Sequence, residues 1–365
     1  MVETTDPARE VTDITGGIDT HADTHTVAAL DGLGRLLGHA TFPVTPTGFD
    51  DLLVWLKGHG DVVALGMEGT GSYGATLFQH LRAHGLRIVE VDQPDRRARR
   101  KAGKSDPTDA IAAARAVQAG TATGTPKTRD GFVESVRALR VARNGAIKAH
   151  TAAINALRQT IITAPAHLRA QLAGLGAKRL VDTCARLRPG DVRDPEQAAK
   201  VTLRRLARRC QMLAEELAET DKDIAQLLND RAPDLLAVHG VGPDIAGQLL
   251  ITAGDNPERL KSEASFAALC GVSPLLASSG KTNRHRLNRG GDRAANSALH
   301  RVVIVRMKTH AETRAYVQRR TAEGLSKREI IRCLKRYAAR ELLPLIKAAA
   351  HEQPAAKPIS VSAAA

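Results

Sequence analysis

The chain has 365 residues, of which 53 are Lys or Arg and 39 are Asp or Glu, giving a net charge of +14 and a pI near 10.0. That length exceeds one compact core and implies two or three domains, while the charge points to a polyanionic partner. Aromatic residues make up only 2%, which excludes a protein that grips single strands mainly by stacking bases on aromatic platforms.

Residues 1–14 read as a disordered polar leader. The opening MVETTDPARE has neither a basic start nor an apolar stretch, and no run approaches the length of a membrane span, so neither export nor membrane insertion is expected. Three strands follow between Thr15 and Val44: GGIDTH, THTVAALD and RLLGHATFPV, with Asp31-Gly32-Leu33-Gly34 as a hairpin turn between the second and third. Asp19 lies inside the first strand among apolar neighbours, where a carboxylate is costly unless it is paired, binds a metal or faces solvent at an edge. GFDDLLVWLK has helical spacing, and Asp61 to Met67 (DVVALGM) has the nearly continuous apolar run of a buried central strand.

Glu68 follows at the carboxyl end of that strand, where open α/β sheets place functional groups. A helix (ATLFQHLRAHG) and a strand (LRIVEVD) come next. Gly69, Gly71 and Gly74 spell GxGxxG between strand and helix, with Asp92, Arg96 and Arg97 placed as in an NADP fingerprint. A dinucleotide fold opens with this βαβ unit, however, and here three strands precede it.

In KSDPTDA, Asp106 and Asp109 are three residues apart at the start of a helix, which stacks them on one face. Asp106 as N-cap, Pro107 at the first helical position and Asp109 behind it would equally make a helix start without chemistry. The whole order is that of an RNase H-like (RuvC-like) fold, in which Asp19, Glu68, Asp106 and Asp109 can converge on one or two Mg²⁺ ions, a hard cation suited to oxygen ligands. Arg96, Arg97, Arg99, Arg100, Lys101 and Lys104 precede the helix. They read as a solvated charge run or as a clamp on a phosphate backbone.

Val133, Val136, Ile147, Ile154, Leu157 and Ile161 mark a long helix, and Leu203, Leu206, Cys210, Leu213, Leu217, Thr220, Ile224 and Leu227 mark a second with a heptad seam. The two predict a coiled-coil region over residues 129–231, closed within one chain or shared between two. A change of texture at Leu235 opens LLAVHGVGPDIAGQLL, in which Gly240-Val241-Gly242 joins two helices as in a helix-hairpin-helix that meets phosphate through backbone amides.

Ser278 and Ser279 then sit in a small-residue loop before Gly280, followed by Lys281, Arg284, Arg286, Arg289 and Arg293. The serines are ordinary turn residues or, among phosphate-binding cations, a nucleophile. A last basic helix, SKREIIRCLKRYAARELLPLI, precedes a tail over 347–365 expected to be disordered. Cys184, Cys210, Cys270 and Cys333 lie far apart with no CxxC, which fits neither a zinc ribbon nor a disulfide framework and suits a reducing cytoplasm.

GIDTHADTH, ALGMEGTGSYG, GKSDPTDA, VHGVGPDIA and SSGKTNRHRLNRGGDRAANSALHR together resemble, in order, the motifs of the DEDD transposases of insertion sequences. These are relatives of the Piv DNA invertases and are known as bridge-RNA-guided recombinases. The resemblance spans about Thr15 to Ile346. It implies a RuvC-like domain (15–128), a coiled-coil insertion (129–231) and a C-terminal transposase domain with a catalytic serine (232–346). It also implies Mg²⁺, donor and target DNA, a structured guide RNA from the element, and a tetramer built as a dimer of dimers, at work on the bacterial nucleoid. Carried over, the tetrad is Asp19, Glu68, Asp106 and Asp109, and the nucleophile is Ser279, with Ser278 its rival. The long insertion between tetrad and serine suggests a composite site in which the serine of one chain serves the carboxylates of another. Alternatives are a Holliday-junction-resolving nuclease, which leaves the serine loop unexplained, and a non-catalytic basic nucleic-acid-binding protein.

Overall fold

The computed structural model describes residues 12–91, 105–278, 280 and 285–351. They fall into two compact units divided between Thr128 and Arg129.

The first unit is built on a five-stranded sheet of β1 (Asp13–Thr20), β2 (Thr24–Asp31), β3 (Leu36–Pro43), β4 (Asp61–Met67) and β5 (Ile88–Glu90), in the order β3-β2-β1-β4-β5. β1 pairs antiparallel with β2 and parallel with β4. β2 pairs antiparallel with β3, and β4 parallel with β5. Helices α1 (Pro46–Lys57), α2 (Ala75–Ala83) and α3 (Asp106–Gln118) complete the unit. This mixed sheet fits an RNase H-like domain. β1 begins inside the stretch expected to be a leader, because Asp13 and Ile14 pair with β4 and Ile14 is fully buried.

Strand alternation sorts the sheet into two faces. Ile18 and Leu65 pack with Leu52, Leu56, Leu77 and Leu81 in the core under α1 and α2. Gly17 and Gly66 turn to the opposite face, toward α3. A Cβ on Gly17 would lie 2.0 Å from the Ala110 carbonyl oxygen, and one on Gly66 would lie 2.5 Å from that of Ala113. Both glycines are therefore what lets a helix of small residues (Ala110, Ala113, Ala114, all buried) lie directly on the strands.

The second unit is helical. α4 (Phe132–Ile162) and α7 (Pro195–Arg231) pack side by side, with α5 (Ala166–Leu172) and α6 (Ala177–Ala185) between them in sequence. The pair is antiparallel within one chain: Leu157 and Ile161 share a cluster with Leu203 and Ala207, whereas Val133 and Val136 share one with Ile224 and Leu228. Their seam differs from the expected one at Ile147, which is 37% exposed while Ala146 is buried, and at Leu206 and Leu227, which are only partly buried beside Ala207 and Leu228. At the first two places an alanine fills the closest approach and the larger neighbour moves to the flank, while at the third the buried position shifts by one residue, from Leu227 to Leu228.

α8 (Pro233–Ala237), α9 (Pro243–Ala253), α10 (Glu263–Leu269), α11 (Arg293–Thr309), α12 (Ala311–Ala322) and α13 (Lys327–His351) follow. The base of the α4/α7 pair shares one core with them, including Leu249, Phe266, Leu299 and Leu342. α13 runs to His351 and buries Ala349 and Ala350, so the first five residues of the expected tail are helical. None of the described helices is long and apolar enough to cross a membrane.

Candidate functional site

The four predicted acidic residues come to one edge of the sheet. Asp19, the second-last residue of β1, lies on the face that α3 covers, since it shares the alternation of Gly17. Glu68 follows β4, the parallel neighbour, where Ile18 pairs with Met67 and the Glu68 amide donates to the Ile18 carbonyl at 3.4 Å. The Thr20 hydroxyl donates to the Glu68 carbonyl at 3.1 Å and ties the two strand ends together. Asp106 and Asp109 lie in the first turn of α3. Asp106 is not the N-cap, because Ser105 holds that position, with its hydroxyl 2.7 Å from that of Thr108. Asp109 is 5% exposed and turned inward, while Asp106 remains about half exposed.

The glycines after Glu68 serve this edge. A Cβ on Gly74 would meet Thr20 Cγ2 at 2.9 Å, so the loop is small where it passes the end of β1. The Thr70 hydroxyl donates to Glu90 Oε1 at 2.7 Å across the loop. Three strands and a parallel β1–β4 pair lie ahead of this glycine loop, which is not how a dinucleotide fold begins.

His21 joins the carboxylates, a residue that lies within GIDTH but was given no role from sequence. Its Nε2 is 3.1 Å from Asp19 Oδ2 and 3.4 Å from Asp106 Oδ1. One oxygen of each aspartate and one nitrogen of His21 lie within 4.8 Å of one another. Burial pushes the Asp19 carboxyl above its ordinary value, His21 pulls it back, and the charges of Asp109 and Asp106 push it up again. A buried carboxylate beside two others is stabilised in its charged form by a nearby cation. The donors present, mostly carboxylate oxygens at one sheet edge, fit a divalent metal, with Asp19 and Asp106 the pair closest to sharing it.

The predicted serine segment is flanked in the chain by a two-stranded antiparallel hairpin of β6 (Leu275–Leu276) and β7 (His285–Arg286). Ser278 is exposed and Gly280 has φ +56°. The base of the hairpin is pinned from two sides. A Cβ on Gly271 would sit 2.4 Å from the Gly290 carbonyl oxygen, and the Asn296 amide donates to the Cys270 and Gly271 carbonyls at 3.0 Å. Lys335, 7% exposed, donates to Asn296 Oδ1 at 2.8 Å, and burial, with Arg332 nearby, holds its pKa below the ordinary lysine value. Asp292 caps α11 through the Ala294 and Ala295 amides and accepts the Thr252 hydroxyl at 2.7 Å.

Beside the hairpin a cavity of about 450 Å³ is lined by Ser273, Arg286, Arg332, Lys335 and Tyr337 among others. Arg286, Arg289 and Arg293 are all exposed. Ser279, Lys281 and Arg284 lie outside the described residues, as do Arg96, Arg97, Arg99, Arg100, Lys101 and Lys104.

The turn between α8 and α9 is made by Gly240, at φ +86°, and Gly242, which is exposed. Gly240 packs on α11, 3.3 Å from the Val302 carbonyl oxygen by its would-be Cβ, and Arg306 Nε donates to the His239 carbonyl at 2.8 Å. Asp244 in the first turn of α9 accepts from Arg140 Nη1 and Arg301 Nη1, each at 2.5 Å, and from Arg143 Nη1 at 3.3 Å. A carboxylate with three arginines thus flanks the turn that sequence assigned to a phosphate.

Two family models match the chain. One, the DEDD transposase of IS110, described as a transposase, matches residues 16–163. The other, described as a transposase of the IS116/IS110/IS902 family, matches residues 232–318. No curated protein matches the sequence.

Proposed function

The chain belongs to the IS110 family of DEDD transposases, and we propose that it is the recombinase of a mobile element, cutting and rejoining DNA strands under the direction of a structured RNA. Membership implies DNA substrates and transposition in general. The finer reading is ours: Asp19, Glu68, Asp106 and Asp109 hold Mg²⁺, Ser279 is the nucleophile, and the assembly is a dimer or a tetramer of two dimers. The observation that carries it is the gathering of Asp19, Asp106 and Asp109 at one sheet edge, two of them buried, by a helix whose approach depends on Gly17 and Gly66.

In this reading the Ser279 oxygen attacks a backbone phosphorus and forms a phosphoserine ester. The bridging phosphorus–oxygen bond breaks, and the serine proton ends on the departing sugar hydroxyl. Rejoining is the reverse attack by the hydroxyl of another strand. A divalent ion held by the carboxylates supplies charge stabilisation on the phosphate. Asp19 and Asp109 are fixed by burial before substrate arrives, so their orientation costs nothing at the moment of reaction. Exposed Arg286, Arg289 and Arg293 offer charge to the nucleic-acid backbone without reading sequence, and the turn at Gly240 and Gly242 is proposed as a helix-hairpin-helix with the same task. The antiparallel α4/α7 pair is proposed as a coiled coil that also meets a second copy.

The test is excision of the element from a plasmid supplied with its own flanking noncoding RNA. Asp106→Ala and Ser279→Ala are expected to abolish excision while nucleic-acid binding by gel shift survives. Wild-type excision by Asp106→Ala would remove the tetrad from the mechanism.

A further inference from the structure

Away from the carboxylate edge, on the other face of the sheet, Asp50 of α1 meets His80 and His84 of α2. The two histidines are four apart and so share one helix face. One nitrogen of each imidazole and one Asp50 oxygen lie within 4.8 Å of one another. His84 Nδ1 donates to the His80 carbonyl at 2.9 Å, which leaves the lone pair of the neutral ring on Nε2. The His80 ring is held between Phe49 and His84, at centroid distances of 5.7 and 4.6 Å. These are contacts that fix ligand orientation without using the ligand nitrogens.

The decisive detail is His80 Nε2. It is buried and makes no well-formed hydrogen bond among the described residues, yet it lies 3.2 Å from Asp50 Oδ1. Ligands of a tetrahedral zinc ion, bound at about 2.0–2.2 Å, stand roughly 3.3–3.5 Å apart. The 3.2 Å separation is that of an ion pair and falls just short of the spacing of two donors on a common ion, so a small opening would admit one. The end of α2 also presents the negative pole of its helix, and a cation is favoured there.

We propose that Asp50, His80 and His84 form a binding site for a divalent transition-metal ion of the zinc class, clipping α1 to α2. Two imidazoles and one carboxylate select such an ion over Mg²⁺, which takes all-oxygen sets. The site is independent of the carboxylate edge, which lies on the α3 face.

The experiment uses the full chain carrying Asp19→Ala, so that the Asp19, His21 and Asp106 group is broken. After chelator treatment and dialysis, Zn²⁺ uptake is measured by calorimetry, with Co²⁺ visible absorption as the probe of nitrogen ligation. One Zn²⁺ per chain is expected, with a thermal midpoint raised by Zn²⁺. His84→Ala and Asp50→Asn, added singly, should each weaken uptake by at least the roughly 10–100-fold that even an outer partner of a metal ligand costs. Circular dichroism and the midpoint in chelator should be unchanged by either, which separates ligand loss from misfolding. Uptake that persists in both variants, or no uptake in the Asp19→Ala chain, overturns the site.

Discussion

Gly17 of β1 and Ala110 of α3 touch so closely that a Cβ on the glycine would stand 2.0 Å from the alanine carbonyl oxygen. That contact sets how far Asp106 and Asp109, in the first turn of the same helix, stand from Asp19, two residues along the same strand. Gly17→Ala should therefore lift α3, cost about 1–3 kcal/mol as overpacking does, and reduce strand cleavage more than the stability loss explains. Denaturant unfolding and a cleavage assay on the same preparation check this. Full cleavage by a destabilised Gly17→Ala chain would detach the helix position from the site.

Asp244 is where α4, α9 and α11 meet, through Arg140, Arg143 and Arg301. Burial acts to raise its carboxyl, but hydrogen bonds from Arg301 and Arg140 prevail and hold it below its ordinary value. Asp244→Ala leaves Arg140, whose side chain is 8% exposed, without its acidic partner. Breaking a buried pair costs about 3–5 kcal/mol, and the partial exposure of Asp244 sets the expectation at the lower end. Urea unfolding at neutral pH should show it, and the part that depends on this carboxylate should fade in wild type as pH falls below 3.8.

His25 is fully buried on β2, stacked on Phe49 at 5.8 Å, with no well-formed hydrogen bond to either ring nitrogen among the described residues. Burial, and then the charge of His21, hold its pKa below 6.5 against a weaker pull from the Thr24 backbone. Between that depressed value and 6.5 the unfolded chain binds a proton that the folded chain refuses, so stability rises with pH through the window and is lost on acidification. His25→Phe should flatten this limb of the stability curve. An unchanged slope between pH 6.5 and 5 would assign the loss to other groups.

Asp255 caps α4 from 122 residues away, accepting the Val133 amide at 2.9 Å. Burial raises its pKa, and the hydrogen bonds from the Val133 and Gly131 amides only partly offset this. Asp255→Ala should lose about 0.5–2 kcal/mol, the usual worth of an N-cap, and raise amide exchange in the first turn of α4 above that of its middle.

The sheet was legible because its strands are short apolar runs bounded by Gly, Asp and Pro, and the parallel β1–β4 pair then places Asp19 and Glu68 near adjacent strand ends. Of the two readings of the start of α3, the one that made Asp106 the N-cap falls one residue late, because Ser105 holds that position and Ser and Asp suit it equally well. His21 escaped notice because a histidine two residues after a strand aspartate resembles any loop histidine. Its role depends on Asp106, 85 positions away in the chain. Asp50, His80 and His84 were equally hidden, for the sequence does not say which face of α1 meets which face of α2. In the helical pair the apolar period was visible, but the choice of Ala146 over Ile147 rests on how closely two backbones approach.

The account turns on a serine ester formed beside metal-binding carboxylates, and a denaturing gel of labelled junction DNA reads it directly. With the element's RNA and Mg²⁺, the wild-type chain should give a protein–DNA adduct that survives denaturation. Ser279→Ala and Asp109→Asn should give none, although both still bind the DNA. Free nicked ends at the wild-type rate from Ser279→Ala, with no adduct from any chain, would contradict the account and favour water as the nucleophile.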